Sequence, residues 1–286
     1  MMNVNRFPVL YDIAIMGKKP EIALVQAITK YFRKYLPKPG EILEQEVIND
    51  DKNDKIFSIW LQGEENAPDI IKSCFRSIRK NCKQELIVLD EKSVFDYITL
   101  PDIIVQKYKE GKIHRAHFAD ICRVELLYEH GGYWLDSTDF MMTPMPDWIE
   151  QQDFFMFLTG TKYGSPYSFA QNCFIRARKG SYLLAAWRAM ILNYWIKENR
   201  EFDYFMHQLL FKTLVTYDKR ARKYFDAMPH VSQDPTHVLW AECRDKQFNQ
   251  KQFDEIARGA CFQKLTYRGS DNLVPGSFAD VMVNKL

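Results

Sequence analysis

Apolar residues recur at helical spacing near the start of the chain. Over residues 21–36 they form a stripe with a period of about 3.6 residues, made of Ile22, Val25, Ile28, Phe32 and Tyr35. The basic side chains of this segment lie off the stripe. The pattern predicts an amphipathic helix that packs on the rest of the fold, with docking on an anionic membrane surface as the alternative.

The segment from Pro37 to Asp54 has the composition of a linker. It contains Pro39-Gly40 and a polar run over residues 49–54, both of which are typical of turns and loops. We therefore predict two parts of the chain. Residues 1–54 form an N-terminal helical extension with its linker, and residues 55–286 form one larger domain.

From residue 56 onwards, short apolar runs alternate with helical patterns. Ile56–Leu61 and Glu85–Leu89 are brief runs of apolar residues, and residues 69–81 between them follow a helical pattern. A strand, a helix and a second strand in this order favour a parallel sheet, so we predict an α/β fold with helices flanking a mostly parallel sheet. Such sheets bind nucleotides at the carboxyl ends of their strands.

A further helix is predicted over residues 114–130, and it ends at the paired glycines Gly131-Gly132. The next apolar run, residues 133–135, reads as a strand that leads directly into Asp136. Towards the carboxyl terminus, helical patterns cover residues 181–199 and 202–217, and a last strand is expected near residues 260–267.

Composition and charge exclude several classes of protein. The chain has 286 residues, of which 47% are hydrophobic and 27% charged, as in ordinary globular proteins. Its net charge of +2 is too small to indicate a nucleic acid partner. The six cysteines include no CxxC pair, and no segment resembles a secretory signal or a membrane span. We therefore expect reduced cysteines and a cytoplasmic protein.

Charged residues converge around the glycine turn. Asp120 and Arg123 lie three residues apart, so they share a face of the predicted helix. The following strand runs into Asp136, Thr138 and Asp139. A carboxylate cluster at the end of a strand suits Mg²⁺ or Mn²⁺, which take their remaining ligands from water and phosphate. The alternatives are a structural ion pair on the helix and a turn cap by an aspartate.

Together these segments resemble a known family, the capsular polysaccharide synthesis type glycosyltransferases with a DxD-like motif. These are relatives of the yeast-type α-mannosyltransferases and of the glucosylating bacterial toxins. The resemblance extends over roughly residues 55–268. It rests on Ile59–Gly63 followed by Ala67-Pro68, His117–Asp120 with Arg123, Gly131–Asp136, Asp203–His207, Pro235–His237 and Lys264–Tyr267.

The resemblance implies a GT-A type fold with extra N-terminal and C-terminal helices, in a bacterial enzyme. It also implies retaining transfer of a hexose from a nucleoside-diphosphate sugar to a growing surface or capsular glycan. By analogy the donor is bound by Trp60, Leu61, Gln62, Asp120, Arg123, Asn172 and Lys264. Asp136, Arg123 and Asp120 are the expected catalytic residues, and Asp136 is the principal aspartate of the motif.

The chain departs from the strict DxD spelling, because Thr138 stands at the position of the second aspartate and the next acid is Asp139. On a regular strand Asp136 and Thr138 share a face and Asp139 points away. Both acids can therefore bind one ion only if the chain turns there. The candidate ligands for Mn²⁺ or Mg²⁺ are Asp136, Thr138, Asp139 and His237.

Downstream, Asp203 and His207 are spaced one helical turn apart. They are candidates for binding a glycan acceptor, with packing as the alternative for His207. The basic N-terminal helix suggests peripheral contact with the inner face of the membrane, where lipid-linked acceptors are found. Two other functions stay open: a glycosyltransferase that modifies protein, and a non-catalytic module that binds sugar nucleotides or glycans.

Overall fold

A five-stranded sheet forms the centre of the fold. The computed structural model describes residues 20–42, 55–165, 167–270 and 272–286. The order of strands across the central sheet is β2-β1-β3-β6-β5, and a separate two-stranded sheet pairs β4 with β7. The strands are β1 Ile56–Ile59, β2 Leu86–Leu89, β3 Gly132–Leu135, β4 Asp139–Met141, β5 Phe154–Leu158, β6 Ala170–Ala177 and β7 Phe262–Lys264.

Strand directions in the central sheet are mostly the same. β1 runs parallel to β2 and β3, whereas β6 runs antiparallel to both β3 and β5. Only β6 therefore opposes the other strands of this sheet. The predicted α/β fold with a mostly parallel central sheet and flanking helices is confirmed, and the GT-A type stays a prediction.

Helices surround the sheet and bury its two faces. The helices of the described residues are α1 Pro20–Phe32, α2 Asp69–Asn81, α3 Asp102–Lys109, α4 Arg115–His130, α5 Asp147–Glu150, α6 Tyr182–Lys197, α7 Met206–Tyr217, α8 Lys219–Ala227, α9 Gln250–Gly259 and α10 Phe278–Asn284. α4 packs on β1, β3 and α6, and α10 packs on α2. Most side chains of α4 are buried, which makes it the central helix of the fold.

The N-terminal helix is part of the packed structure. α1 lies against α7, and Val25, Ile28, Phe32 and Tyr35 of its stripe are buried while Ile22 remains 49% exposed. The interpretation that this helix packs on the fold is confirmed. Residues 1–19 and 43–54, which include most of the predicted linker, lie outside the described residues, so the boundary at residue 54 stays a prediction.

Two predicted elements are shorter in the structure. β1 ends at Ile59 instead of Leu61, because Gly63 N donates to Trp60 O at 2.9 Å and closes a turn. α7 begins at Met206 instead of residue 202, because the Asp203 carboxylate accepts a hydrogen bond from Phe205 N and its carbonyl accepts one from Met206 N.

The cysteines are free thiols, and all of them except the partly exposed Cys82 are buried. Burial raises the pKa of Cys82 to about 12, so the thiolate form is scarce at neutral pH. Among the helices within the described ranges, none is long and apolar enough to cross a membrane.

Candidate functional site

A cleft of about 790 Å³ opens at the carboxyl ends of β1 and β3, and we refer to it as the main cleft. This volume is within the range of ligand pockets in proteins, and the position is the one at which α/β sheets bind ligands. The cleft is lined by residues within 59–62, 115–123, 134–138 and 264–268, together with Asn172, Tyr204 and Gln208.

The paired glycines bring helix α4 and strand β3 together. Gly131 has φ +69° and Gly132 has φ +95°, conformations that side chains with a Cβ rarely adopt. Gly131 N closes α4 by donating to Leu127 O, and Tyr133 N donates to Lys55 O at 2.8 Å, which aligns β3 with β1. The turn thereby directs Asp136 towards the helix face that carries Arg123.

The chain turns at Asp136, which is what the binding of one metal ion by both Asp136 and Asp139 would require. Asp139 N donates to Asp136 O at 2.9 Å, and Asp136 N donates to the Asp139 carboxylate at 3.2 Å. Asp139 then opens β4 and stands directly opposite Lys264 of β7 in the antiparallel register. The turn and this pairing place both carboxylates around one lysine.

Three N–H groups hold the Asp136 carboxylate. Oδ1 accepts from the indole Nε1 of Trp134 at 2.7 Å and lies 3.4 Å from Arg123 Nη1, while Oδ2 accepts from Lys264 Nζ at 2.6 Å. Burial by itself would raise the pKa of Asp136, but Lys264 and Arg123 outweigh burial and lower that pKa. Asp136 is therefore ionised and has a cation on each side.

Arg123 bridges the two acids that line the cleft. Its Nη2 lies 3.0 Å from Asp120 Oδ1, its Nη1 reaches Asp136 and the carbonyl of Asn172, and its guanidinium lies 4.8 Å from the centre of the Trp134 ring. A planar guanidinium with five donors suits such a bridge. Arg123 and Asp136 thus meet at one cleft, as expected from the sequence, and their roles stay predictions.

Behind Arg123, an amide and a histidine support Asp120. Asn172 Nδ2 donates to Asp120 Oδ1 at 3.0 Å and lies 3.0 Å from His207 Nδ1. Burial alone would raise the pKa of Asp120, but the guanidinium of Arg123 lowers it below its ordinary value. Burial lowers the pKa of His207 to about 3, so its imidazole is neutral at physiological pH. His207 is also buried and absent from the cleft lining, so it packs behind the cleft.

The structure brings most of the predicted site residues to the main cleft. Those that line it are Trp60, Leu61, Gln62, Asp120, Arg123, Asp136, Thr138, Asn172 and Lys264. The placement agrees with the prediction for these residues, and their individual roles stay predictions.

Four predicted site residues do not line the cleft. Asp139 is fully buried behind Lys264, and His207 is buried against the ring of Trp187. Asp203 caps the turn before α7, and His237 bonds Thr236 Oγ1 at 2.9 Å in a separate turn. The pairing of Asp203 with His207 on one helix face was wrong, because α7 starts after Asp203.

Other residues that line the cleft were not singled out from the sequence. Those with a charged, amide or large aromatic side chain are Arg115, Trp134, Tyr204, Gln208, Tyr267 and Arg268. Two of them carried a signal: Trp134 lies on β3 two positions before Asp136, and Tyr267 closes the Lys264–Tyr267 segment. The rings of Trp60 and Tyr267 meet edge to face with centroids 5.5 Å apart, which places an aromatic wall at the end of β1.

The charge of the main cleft favours an anionic ligand. Its lining within the described residues includes four permanent cations and two carboxylates, namely Arg115, Arg123, Lys264, Arg268, Asp120 and Asp136. The balance of these formal charges is 4 − 2 = +2. Arg115 and Arg268 are exposed, so they are accessible to a ligand that enters from solvent. Guanidinium and ammonium groups at these positions suit phosphate oxygens.

The donor set does not fit a divalent ion in this arrangement. Of the four predicted ligands, only Asp136 and Thr138 line the cleft, and Asp136 Oδ2 already contacts the ammonium of Lys264. Within the described part of the chain, no group of three His, Cys, Asp or Glu side chains could hold a metal ion. Mn²⁺ or Mg²⁺ stays a prediction, and these contacts leave little room for either ion.

Comparison with known proteins identifies the family. The family model described as "Capsular polysaccharide synthesis protein" matches residues 15–281. The chain belongs to the capsular polysaccharide synthesis family. The resemblance expected from the motifs is therefore confirmed at the level of the family.

Two further comparisons were made. No protein among the curated sequences matches this chain. Among solved structures, one that is similar is the "PaToxG Glycosyltransferase", which is 12% identical in sequence. The match covers 79% of this chain and 84% of that one, with a TM-score of 0.42.

Proposed function

We propose that this member of the capsular polysaccharide synthesis family is a glycosyltransferase that moves a hexose from a nucleoside-diphosphate sugar to a growing surface or capsular glycan. The observation that carries the proposal is the main cleft, in which two fixed cations, Arg123 and Lys264, flank Asp136 at the carboxyl end of β3. A site of this kind binds a diphosphate and neutralises the charge that develops when it leaves.

The elements around the cleft suggest a role for each region. Trp60 and Tyr267 offer aromatic surfaces for the nucleotide base. Lys264 and the exposed Arg115 and Arg268 offer positive charge for the diphosphate. Asp120 carries acceptor oxygens for sugar hydroxyls and is oriented by its contact with Arg123.

Transfer requires that the bond between the anomeric carbon and the diphosphate oxygen breaks while a bond to the acceptor hydroxyl oxygen forms. The electron pair of the broken bond goes to the leaving diphosphate, where Lys264 and Arg123 stabilise the negative charge. For transfer with retention, the acceptor hydroxyl gives its proton to the leaving phosphate oxygen. This route needs no separate general base, and retention itself is part of the proposal.

The acceptor side of the cleft is formed by Tyr204 and Gln208 rather than by Asp203 and His207. Tyr204 is 68% exposed, and Gln208 Nε2 donates to Asn172 Oδ1 at 3.1 Å. An exposed aromatic ring beside a polar amide suits the stacking and hydrogen bonding of a sugar. We propose a glycan acceptor here, with lipid-linked glycans at the inner membrane face as the class to test first.

The test is product analysis. The protein is incubated with a panel of nucleoside-diphosphate hexoses and glycan acceptors, and mass spectrometry measures released nucleoside diphosphate and extended glycan. We expect release of diphosphate and a hexose added to the acceptor. Asp136→Ala is expected to lower the rate by about 10²–10³-fold, because it removes the carboxylate that positions Lys264 and Arg123, the cations that stabilise the leaving diphosphate.

The matched control is Asp226→Ala, which removes an exposed aspartate that is paired with Arg222 on helix α8. Its rate should equal that of the parent. Parent-like activity of folded Asp136→Ala would remove this residue from the mechanism. Stabilisation of the protein by a sugar nucleotide with no product under any condition would instead favour a non-catalytic binding module.

A further inference from the structure

The geometry points to Lys264 as a resident cation of the main cleft, one that serves the diphosphate of the donor in place of a divalent metal ion. This inference rests on the proposed function and deepens it. It concerns where the positive charge of the donor site comes from. The relevant contacts join the turn from Asp136 to Asp139 with Lys264, which pairs with Asp139 across strands β4 and β7.

The ammonium of Lys264 lies between the two carboxylates that a bridging metal ion would use. Nζ is 2.6 Å from Asp136 Oδ2 and 3.3 Å from Asp139 Oδ1. Mg²⁺ needs oxygen ligands at about 2.0–2.1 Å. An ion bound to Asp136 Oδ2 at that distance would lie very close to Nζ, so two cations would compete for one position.

The position of Lys264 is set by the backbone. Lys264 and Asp139 are directly opposite in the ladder between β4 and β7, and Leu265 N continues this pairing by donating to Thr138 O at 2.9 Å. Asp139 is fully buried, so its carboxylate lies behind Lys264 and does not line the cleft. Moving Lys264 aside would leave that buried carboxylate without its cation.

The side chain of Lys264 is also accessible from the main cleft. Its side chain is 21% exposed and lines the main cleft. An ammonium group has three donors. Two of them face Asp136 and Asp139, which leaves the third for a phosphate oxygen. Arg123 stands on the other side of Asp136, so the diphosphate would meet a cation on each side of that acid.

The experiment measures binding by isothermal titration calorimetry. The full chain is titrated with a panel of nucleoside diphosphates and their hexose derivatives, once with EDTA and once with Mn²⁺. The parent is expected to bind equally well in both, with dissociation constants within threefold. Lys264→Met is expected to weaken binding at least tenfold in both conditions. Lys264→Gln provides a second variant, which keeps a polar side chain at this position.

The matched control is Lys112→Met, which removes an exposed lysine that is paired with Glu110 outside the cleft. It should bind as the parent does. Electron paramagnetic resonance of Mn²⁺ added alone gives a readout that does not depend on turnover. The signal of free Mn²⁺ should stay unchanged when the parent protein is added.

The possible failures can be told apart. A loss of affinity beyond threefold in EDTA, or stoichiometric Mn²⁺ binding that Asp136→Ala abolishes, would overturn the role of Lys264 and leave the proposed function standing. Parent-like binding by both folded Lys264 variants would overturn it as well. If no nucleoside diphosphate or its hexose derivative binds under either condition, the proposed function fails and this inference fails with it.

Discussion

Gly132→Ala tests whether the close approach of Gly132 to the backbone of Lys55 sets the position of strand β3. Gly132 has φ +95°, and a Cβ at this position would lie 2.4 Å from Lys55 O, 3.1 Å from Lys55 N and 3.3 Å from Lys55 C. These are backbone atoms of the residue that precedes β1, so they cannot turn away as the end of a side chain can. Either β3 or the chain before β1 must shift.

Gly132→Ala lowers the free energy of unfolding in two ways. A side chain in this backbone conformation costs about 1–3 kcal/mol of strain. The shift also threatens the hydrogen bond from Tyr133 N to Lys55 O, and losing such a bond costs about 1 kcal/mol. We expect Gly132→Ala to lower the free energy of unfolding by about 3 kcal/mol.

Two other glycines separate these contributions. Gly111 has φ +72° but nothing within 4 Å of an added Cβ, and Gly259 has neither a positive φ nor a close contact. Gly111→Ala should cost about 1 kcal/mol through strain alone, and Gly259→Ala should be neutral or slightly stabilising. Urea unfolding followed by tryptophan fluorescence measures all three. A Gly132→Ala protein as stable as Gly111→Ala would refute the reasoning.

Three further predictions concern buried charges. Glu125 is buried and accepts two hydrogen bonds from Arg188, at 2.6 and 2.7 Å. Arg188→Met should lower the free energy of unfolding in urea by about 3–5 kcal/mol, because it leaves a buried anion unpaired. Glu125→Gln should lower it by less. Burial lowers the pKa of His207 from 6.5 to about 3, so stability should fall with pH below 6.5. Between pH 7.5 and 5 the parent should lose about 2 kcal/mol more than His207→Asn in urea titrations; equal losses would contradict this. Arg123→Lys keeps the charge but not the fork that spans two acids, so calorimetry should show at least tenfold weaker binding of nucleoside diphosphates, and unchanged affinity would contradict the bridging role.

Local patterns in the sequence predicted the framework of the site because the forces involved are local. The apolar spacing of residues 114–130 and the following glycines predict a helix, its end and a strand, and α4 and β3 have these bounds within two residues. Asp120 and Arg123 share a helix face by spacing alone. The convergence on Asp136 follows from the same glycine turn.

Contacts between distant segments could not be predicted in this way. Lys264 reaches Asp136 across 128 positions of sequence, and the register of β4 against β7 decides which side chains meet. The burial of His207 depends on Trp187, which belongs to another helix. The spacing of Asp203 and His207 suggested one face of a helix, but the Asp203 carboxylate accepts a hydrogen bond from Phe205 N, and the helix starts only after this turn.

The central claim is that the main cleft binds the diphosphate of a sugar nucleotide between Lys264 and Arg123. The most direct measurement is a crystal structure of the protein with a nucleoside-diphosphate hexose that calorimetry shows to bind, grown in the presence of EDTA. We predict phosphate oxygens within hydrogen-bond distance of Lys264 Nζ and the base against Trp60. A ligand bound elsewhere on the protein, or phosphates turned away from Lys264, would contradict the account.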